Sequence, residues 1–191
     1  MQIARRVGLV LGGVFFARMC HAQLHADVGF EAGASKRVLS SRPSGVENAG
    51  FGPTFELHGH LALLPLIRIG AYALAELSPQ APYSARRLYA GGVRLKLLPP
   101  FLRPPWRMTV VTGFGCAFNY APSSGGMPSA WGRYLEVPLL LGASYRVWNK
   151  WDITLETGAR FGFAFGGDLY ARGTGNDAIG IQASLGVQKE F

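Results

Sequence analysis

Thirteen charged side chains fall at alternate positions of alternating stretches: Asp27, Glu31, Glu56, Arg68, Glu76, Arg94, Lys96, Arg107, Glu136, Arg146, Asp152, Glu156 and Arg160. Both signs recur on neighbouring stretches. In a narrow interior that pattern implies a network of ion pairs, because a charge removed from water needs a partner. The sharpest case is Arg146 with Asp152. A break at Trp148, Asn149 and Lys150 separates two alternating runs, and a three-residue turn there sets residues with even sums opposite each other, so Arg146 is expected to face Asp152.

Glu56, His58 and His60 share one face at spacing two, which can present a carboxylate and two imidazoles to a metal. The plainer expectation is that they are polar members of the interior network, with no cofactor bound. Nucleophilic hydrolysis needs a serine near a histidine and an acid. Beyond residue 22 the histidines are His25, His58 and His60, and none has a serine two positions on. No catalytic residue is assigned.

These charges ride on eight segments with period-two alternation, the spacing of a two-faced strand. The clearest are the two halves of Arg133 to Phe165. Leu135, Val137, Leu139, Leu141, Ala143, Tyr145 and Val147 form one apolar face, and Trp151, Ile153, Leu155, Thr157, Ala159, Phe161, Phe163 and Phe165 the next. The remaining segments are Leu24 to Ser35, Thr54 to Leu63, Ile67 to Leu77, Arg86 to Leu97, Trp106 to Tyr120 and Asp177 to Phe191. Their polar faces are rich in glycine and small residues rather than densely charged, as a crowded lumen requires. Their apolar faces carry large side chains, as lipid requires, and about 9 to 11 tilted residues cross a bilayer. The expected architecture is all-β, an eight-stranded antiparallel up-and-down transmembrane barrel.

Connections near 36 to 50, 78 to 84, 121 to 132 and 166 to 176 fall on one side, and those near 64 to 66, 98 to 105 and 148 to 150 on the other. The first set reads as extracellular loops and the second as periplasmic turns. Trp106, Trp148, Trp151 and Phe191 gather on the turn side, with Phe51, Tyr120, Trp131, Tyr134, Phe165 and Tyr170 on the loop side, suiting two interfacial girdles. Pro138 lacks an amide proton and is expected to mark a bulge.

Met1 to Ala22 has Arg5 and Arg6, an apolar run from Val7 to Ala17 and a small-residue end, the composition of a cleaved signal peptide. The remainder, 23–191, forms one domain. Removing the leader lowers the net charge from +8 to roughly +5 and leaves Cys116 alone, so no internal disulfide can form. The basic residues are scattered singly, without a dense run or recognition motif, which argues against nucleic acid. Outside the leader no segment has the unbroken apolar run of a membrane helix.

The signal peptide, the eight alternating segments, the terminal Phe191 and the stretch Leu135, Glu136, Val137, Pro138, Leu139, Leu140, Leu141 resemble the small eight-stranded outer-membrane β-barrels of Gram-negative bacteria, the OmpA/OmpX-like and porin-like group. The resemblance spans the whole mature chain. It implies residence in the outer membrane among lipid and lipopolysaccharide, recognition of the C-terminal strand by the barrel-insertion machinery, and a monomer. Lys189 departs from the terminal signal, where an apolar residue is usual, and is expected to snorkel to the interface. The implied role is structural or surface-interacting and non-enzymatic. A narrow passive pore is the alternative, followed by a lipid A-modifying enzyme and a soluble lipocalin-like lipid binder.

Overall fold

A computed structural model of the chain describes residues 25–39, 48–81, 83–102, 104–124, 126, 128–169 and 178–191. The leader at 1–22 lies outside them. Eight strands follow in order: β1 (Ala26–Leu39), β2 (Gly52–Leu64), β3 (Ile67–Gln80), β4 (Tyr83–Leu97), β5 (Trp106–Ala121), β6 (Ala130–Trp148), β7 (Trp151–Gly167) and β8 (Ala178–Glu190). Each pairs antiparallel with its neighbour in sequence, and β1 pairs with β8 to close the barrel. Closure leaves no free sheet edge, which satisfies every strand's backbone inside a bilayer.

Alternation sets the faces as expected. In β2, Thr54, Glu56 and His58 point inward while Phe55 and Leu57 point outward. Around the barrel, large apolar side chains stay exposed, among them Phe30, Leu57, Val93, Phe114, Leu139, Leu155 and Leu185. An apolar surface this continuous exceeds what a soluble monomer exposes and matches the band of a membrane barrel. No helix among the described residues is long and apolar enough to cross a membrane; the apolar band lies on the strands.

Four local expectations are corrected. The first strand does not stop at Ser35: β1 continues to Leu39, with Arg37 buried and Val38 exposed. Polar and basic residues there suggested a loop, but the alternation persists because Arg37 finds carboxylates inside. The link between β3 and β4 shrinks from seven residues to 81–82, because pairing runs on through Ser78 with Arg86 to Gln80 with Tyr83. Pro79 is tolerated there because the register shifts between Ser78 and Gln80, sparing the ladder a missing donor.

Pro138 produces no register shift. Against β7 it stays in register opposite Arg160, and the β5–β6 ladder resumes unchanged on either side of it, from Thr112 with Leu139 to Gly115 with Glu136. The irregularities of β6 fall instead between Arg133 and Leu135 and between Arg146 and Trp148. The turn after β6 is therefore the two residues Asn149 and Lys150, the latter at φ 65°, with Trp148 paired to Trp151. The bulge at Val147 supplies the extra residue that the parity argument had placed in the turn, so Arg146 still pairs with Asp152.

Candidate functional site

The chemistry of this protein is concentrated in its lumen. Among the described residues the inward acids are Asp27, Glu31, Glu56, Glu76, Glu136, Asp152, Glu156 and Glu190, matched in number by the inward bases Arg37, Arg68, Arg86, Arg94, Lys96, Arg107, Arg146 and Arg160. Among the described residues the interior is charge-balanced, and the excess of positive charge lies outside it.

Towards the loop end, Arg37 donates from Nε to Glu76 at 3.0 Å and from Nη1 to Glu136 at 2.8 Å. Arg86 and Ser78 complete the shell of Glu76 at 3.2 and 2.9 Å. Glu136 also accepts from Arg160 Nη1 at 2.8 Å and the Tyr72 hydroxyl at 3.2 Å. In the middle, Glu56 lies between Arg94 and Arg160, and Arg94 reaches both oxygens of Glu156 at 2.5 Å. Glu31 accepts from Ser184 at 2.6 Å and Thr154 at 3.2 Å. Among the described residues no arginine hydrogen-bonds to it.

At the turn end, Arg68 bridges Asp27 and Glu190, and Arg107 and Arg146 also bind Glu190, each at 2.5 Å. Arg146 donates to Asp152 from Nε and from Nη2, the latter at 3.3 Å. Lys96 donates to Gln188 at 2.5 Å. Every charged lumen residue assigned from sequence thus projects inward, and each makes a polar contact there.

Above this charged section the lumen closes with apolar groups. Tyr72, Leu74, Leu88, Ala117, Tyr134 and Leu169 belong to one buried cluster, with Leu169 held by a hydrogen bond from its amide to the Trp131 carbonyl at 2.9 Å. Leu169 follows β7 and folds back over the barrel mouth. Tyr134 belongs to this cluster at 3% exposure, not to the outer girdle, as its even position on β6 requires. Trp106, Trp148, Trp151 and Phe191 do lie exposed at the turn end, and Phe51, Tyr120 and Trp131 at the loop end. The side chain of Phe165, and all of Tyr170, fall outside the described residues. Lys189 sits 5.4 Å from the Trp151 ring and 5.0 Å from that of Phe191, its ammonium drawn to the aromatic rim.

Sequence reading missed Arg37, Arg86 and Glu190 as network members. Arg37 lies two residues beyond the expected end at Ser35, so extending the period finds it, whereas Arg86 and Glu190 lie at even positions inside the expected segments and were not counted among the inward charges. It also misjudged the histidines' partner. Glu56 is occupied by two arginines, and the carboxylate beside His60 is Asp27 on β1, 2.7 Å from Nδ1. Asp27 and His60 are cross-strand partners. That pair resembles the acid and base of a hydrolase, but His60 Nε2 has no hydroxyl partner and faces the lumen rather than a lipid interface.

Glycine makes the network's bulky members fit. A Cβ on Gly115 would sit 2.3 Å from the Tyr72 hydroxyl and 2.7 Å from the Gly91 carbonyl oxygen. Gly115→Val is therefore expected to expel Tyr72 from Glu136 and to destabilise the barrel by about 1–3 kcal/mol through overpacking. Urea unfolding followed by tryptophan fluorescence measures it, and an unchanged midpoint contradicts the packing described.

No protein-family model matches the sequence, and no curated protein matches it. Among solved structures the barrel superposes on Neisserial surface protein A with a TM-score of 0.63, covering 87% of this chain and 97% of that one at 17% identity. The fold is that of a small outer-membrane β-barrel. Ail, the attachment invasion locus protein of Yersinia pestis, gives a TM-score of 0.51 at 9% identity, covering 87% of this barrel and 99% of that chain. At these identities the shared property is the fold.

Proposed function

We propose that this protein is a non-conducting, non-enzymatic barrel of the outer membrane with a structural or surface-interaction role. The observation that carries the reading is the combination of an apolar outer belt with a lumen closed by paired charges below and by the Leu169 cluster above. An eight-stranded barrel has room for side chains but little else. Buried Arg37, Arg86, Arg94 and Arg160 occupy that room. The leader at 1–22 would direct export, and 23–191 would insert with β8 and Phe191 as the recognised end. Lipid and lipopolysaccharide would contact the belt of a monomer, and the long connections after β1, β5 and β7 would face outward.

Planar-bilayer recording tests the closed lumen. The refolded protein is expected to give no reproducible unitary steps, and steps of uniform size would favour the narrow-pore reading instead. Fractionation of cells tests the location, the protein being expected with the outer membrane. Among the described residues no hydroxyl hydrogen-bonds to either ring nitrogen of His58 or to Nε2 of His60, which supports the non-enzymatic reading, and an altered lipid A mass on expression would overturn it.

A further inference from the structure

We propose that Asp27, His58 and His60 form a site for a single divalent transition-metal ion, with Zn2+ the best match to its chemistry. The inference stands on the lumen geometry and is independent of the surface role. One ligand atom from each of the three lies within 4.8 Å of the others. All three are buried, and the imidazole rings of His58 and His60 lie 5.2 Å apart. Two imidazoles, one of them oriented by a buried carboxylate, with the remaining positions left for water, are donors that tetrahedral Zn2+ accepts.

The unpartnered nitrogens carry the argument. Nearly every charged group in this lumen has a hydrogen-bonding partner, yet both ring nitrogens of His58 and Nε2 of His60 have none. The nearest acid to His58 is Glu56, whose Oε1 lies 3.8 Å from Nδ1, beyond hydrogen-bond length. A buried polar atom without a partner costs about 1–3 kcal/mol. An ion taking one lone pair from each ring removes that cost at Nε2 of His60 and at one nitrogen of His58.

The surroundings hold the rings in place for this. Gly29 faces His58 across the β1–β2 ladder, and a Cβ there would sit 2.3 Å from His58 Nε2. Its absence lets the imidazole lie over β1, on the side of Asp27. Asp27 Oδ1 is 2.7 Å from His60 Nδ1. With Nδ1–H donating to Asp27, the lone pair of His60 is left on Nε2, the arrangement by which carboxylates orient metal-ligating histidines. Arg68 donates to Asp27 Oδ2 and to Glu190, the latter at 2.8 Å, so Asp27 is held in its orienting position from both oxygens, while Lys96 borders the cluster and donates to Gln188 at 2.5 Å.

The test uses protein refolded into detergent with Co2+ or Zn2+ present, so that access to a closed lumen is not required, then passed over chelating resin. One equivalent of metal per barrel is expected to remain, with the visible absorption bands of four-coordinate Co2+. His58→Gln and His60→Gln are expected to abolish retention, and Asp27→Asn to weaken binding about 10–100-fold. His25→Gln, at an exposed site before β1, should retain the ion fully. Heat-modifiable gel mobility reports whether each variant has folded. Should a variant fail to fold, zinc-dependent shifts of the His58 and His60 ring nitrogens in the NMR spectrum of the unmodified protein decide the matter. Less than half an equivalent retained, retention that survives both histidine substitutions, or unshifted ring signals would overturn the proposal.

Discussion

Arg160→Met is expected to lower the unfolding free energy of the barrel by about 3–5 kcal/mol, the cost of stranding buried carboxylates. Arg160 is 2% exposed, and it donates to Glu136 at 2.8 Å, to Gln182 at 2.5 Å and to Glu56. Its guanidinium also lies 5.2 Å from the Tyr72 ring centroid. Methionine keeps the apolar stem of the side chain and removes the charged guanidinium. Glu136 is then left with Arg37, and Glu56 with Arg94, each of which already serves a second acid. The loss should be coupled to its partner. In a Glu136→Gln background the same substitution is expected to cost about 1–3 kcal/mol less, since the two side chains interact directly. Urea unfolding in lipid vesicles, read by tryptophan fluorescence, supplies all four corners of that cycle. A small and additive loss would show that water screens the lumen charges, and the description of a dry, paired interior would fall.

Leu155→Arg is expected to cost about 2–4 kcal/mol, the penalty of a cationic side chain near the bilayer midplane. Leu155 is 51% exposed and pairs across the ladder with Leu185, at 60%. In a soluble protein an arginine at such a position would change stability by about 0.5 kcal/mol or less. The two environments therefore give different answers for one substitution. Trp151→Arg, four residues nearer the turn on the same face, should cost only about 0–1 kcal/mol as a charge, because the head reaches the interface. Equal effects at the two sites would remove the support for a membrane-embedded belt. The comparison needs the same lipid for all variants, because the cost depends on depth in the bilayer.

Which residues face each other was legible to different degrees. The facing of Arg146 and Asp152 came from parity alone, and the structure keeps it although the turn is shorter than expected. The bulge at Val147 and the two-residue turn compensate, and period-two reasoning sees only their sum. Strand ends were less legible. Lys36 and Arg37 look like loop residues in isolation, and only Glu76 and Glu136, far along the chain, make an inward arginine favourable at that point. The histidine cluster shows the same limit. His58 and His60 were visible as a pair on one strand, but their carboxylate comes from β1 and depends on which residue of β1 meets His60.

By itself the sequence determined the number of strands, the side of each that meets lipid, and the presence of inward charges of both signs. Those follow from the alternation, because a side chain's face is a local consequence of the pleat. The tertiary structure decided which acid answers which base, that Glu56 serves two arginines while Asp27 serves His60, and that Leu169 and Tyr134 close the mouth above them. Such contacts span the lumen between strands that are not neighbours, as between Arg160 and Glu56 or Arg37 and Glu136. Barrel closure and stagger set their distances, and neither is written in the period of any single strand.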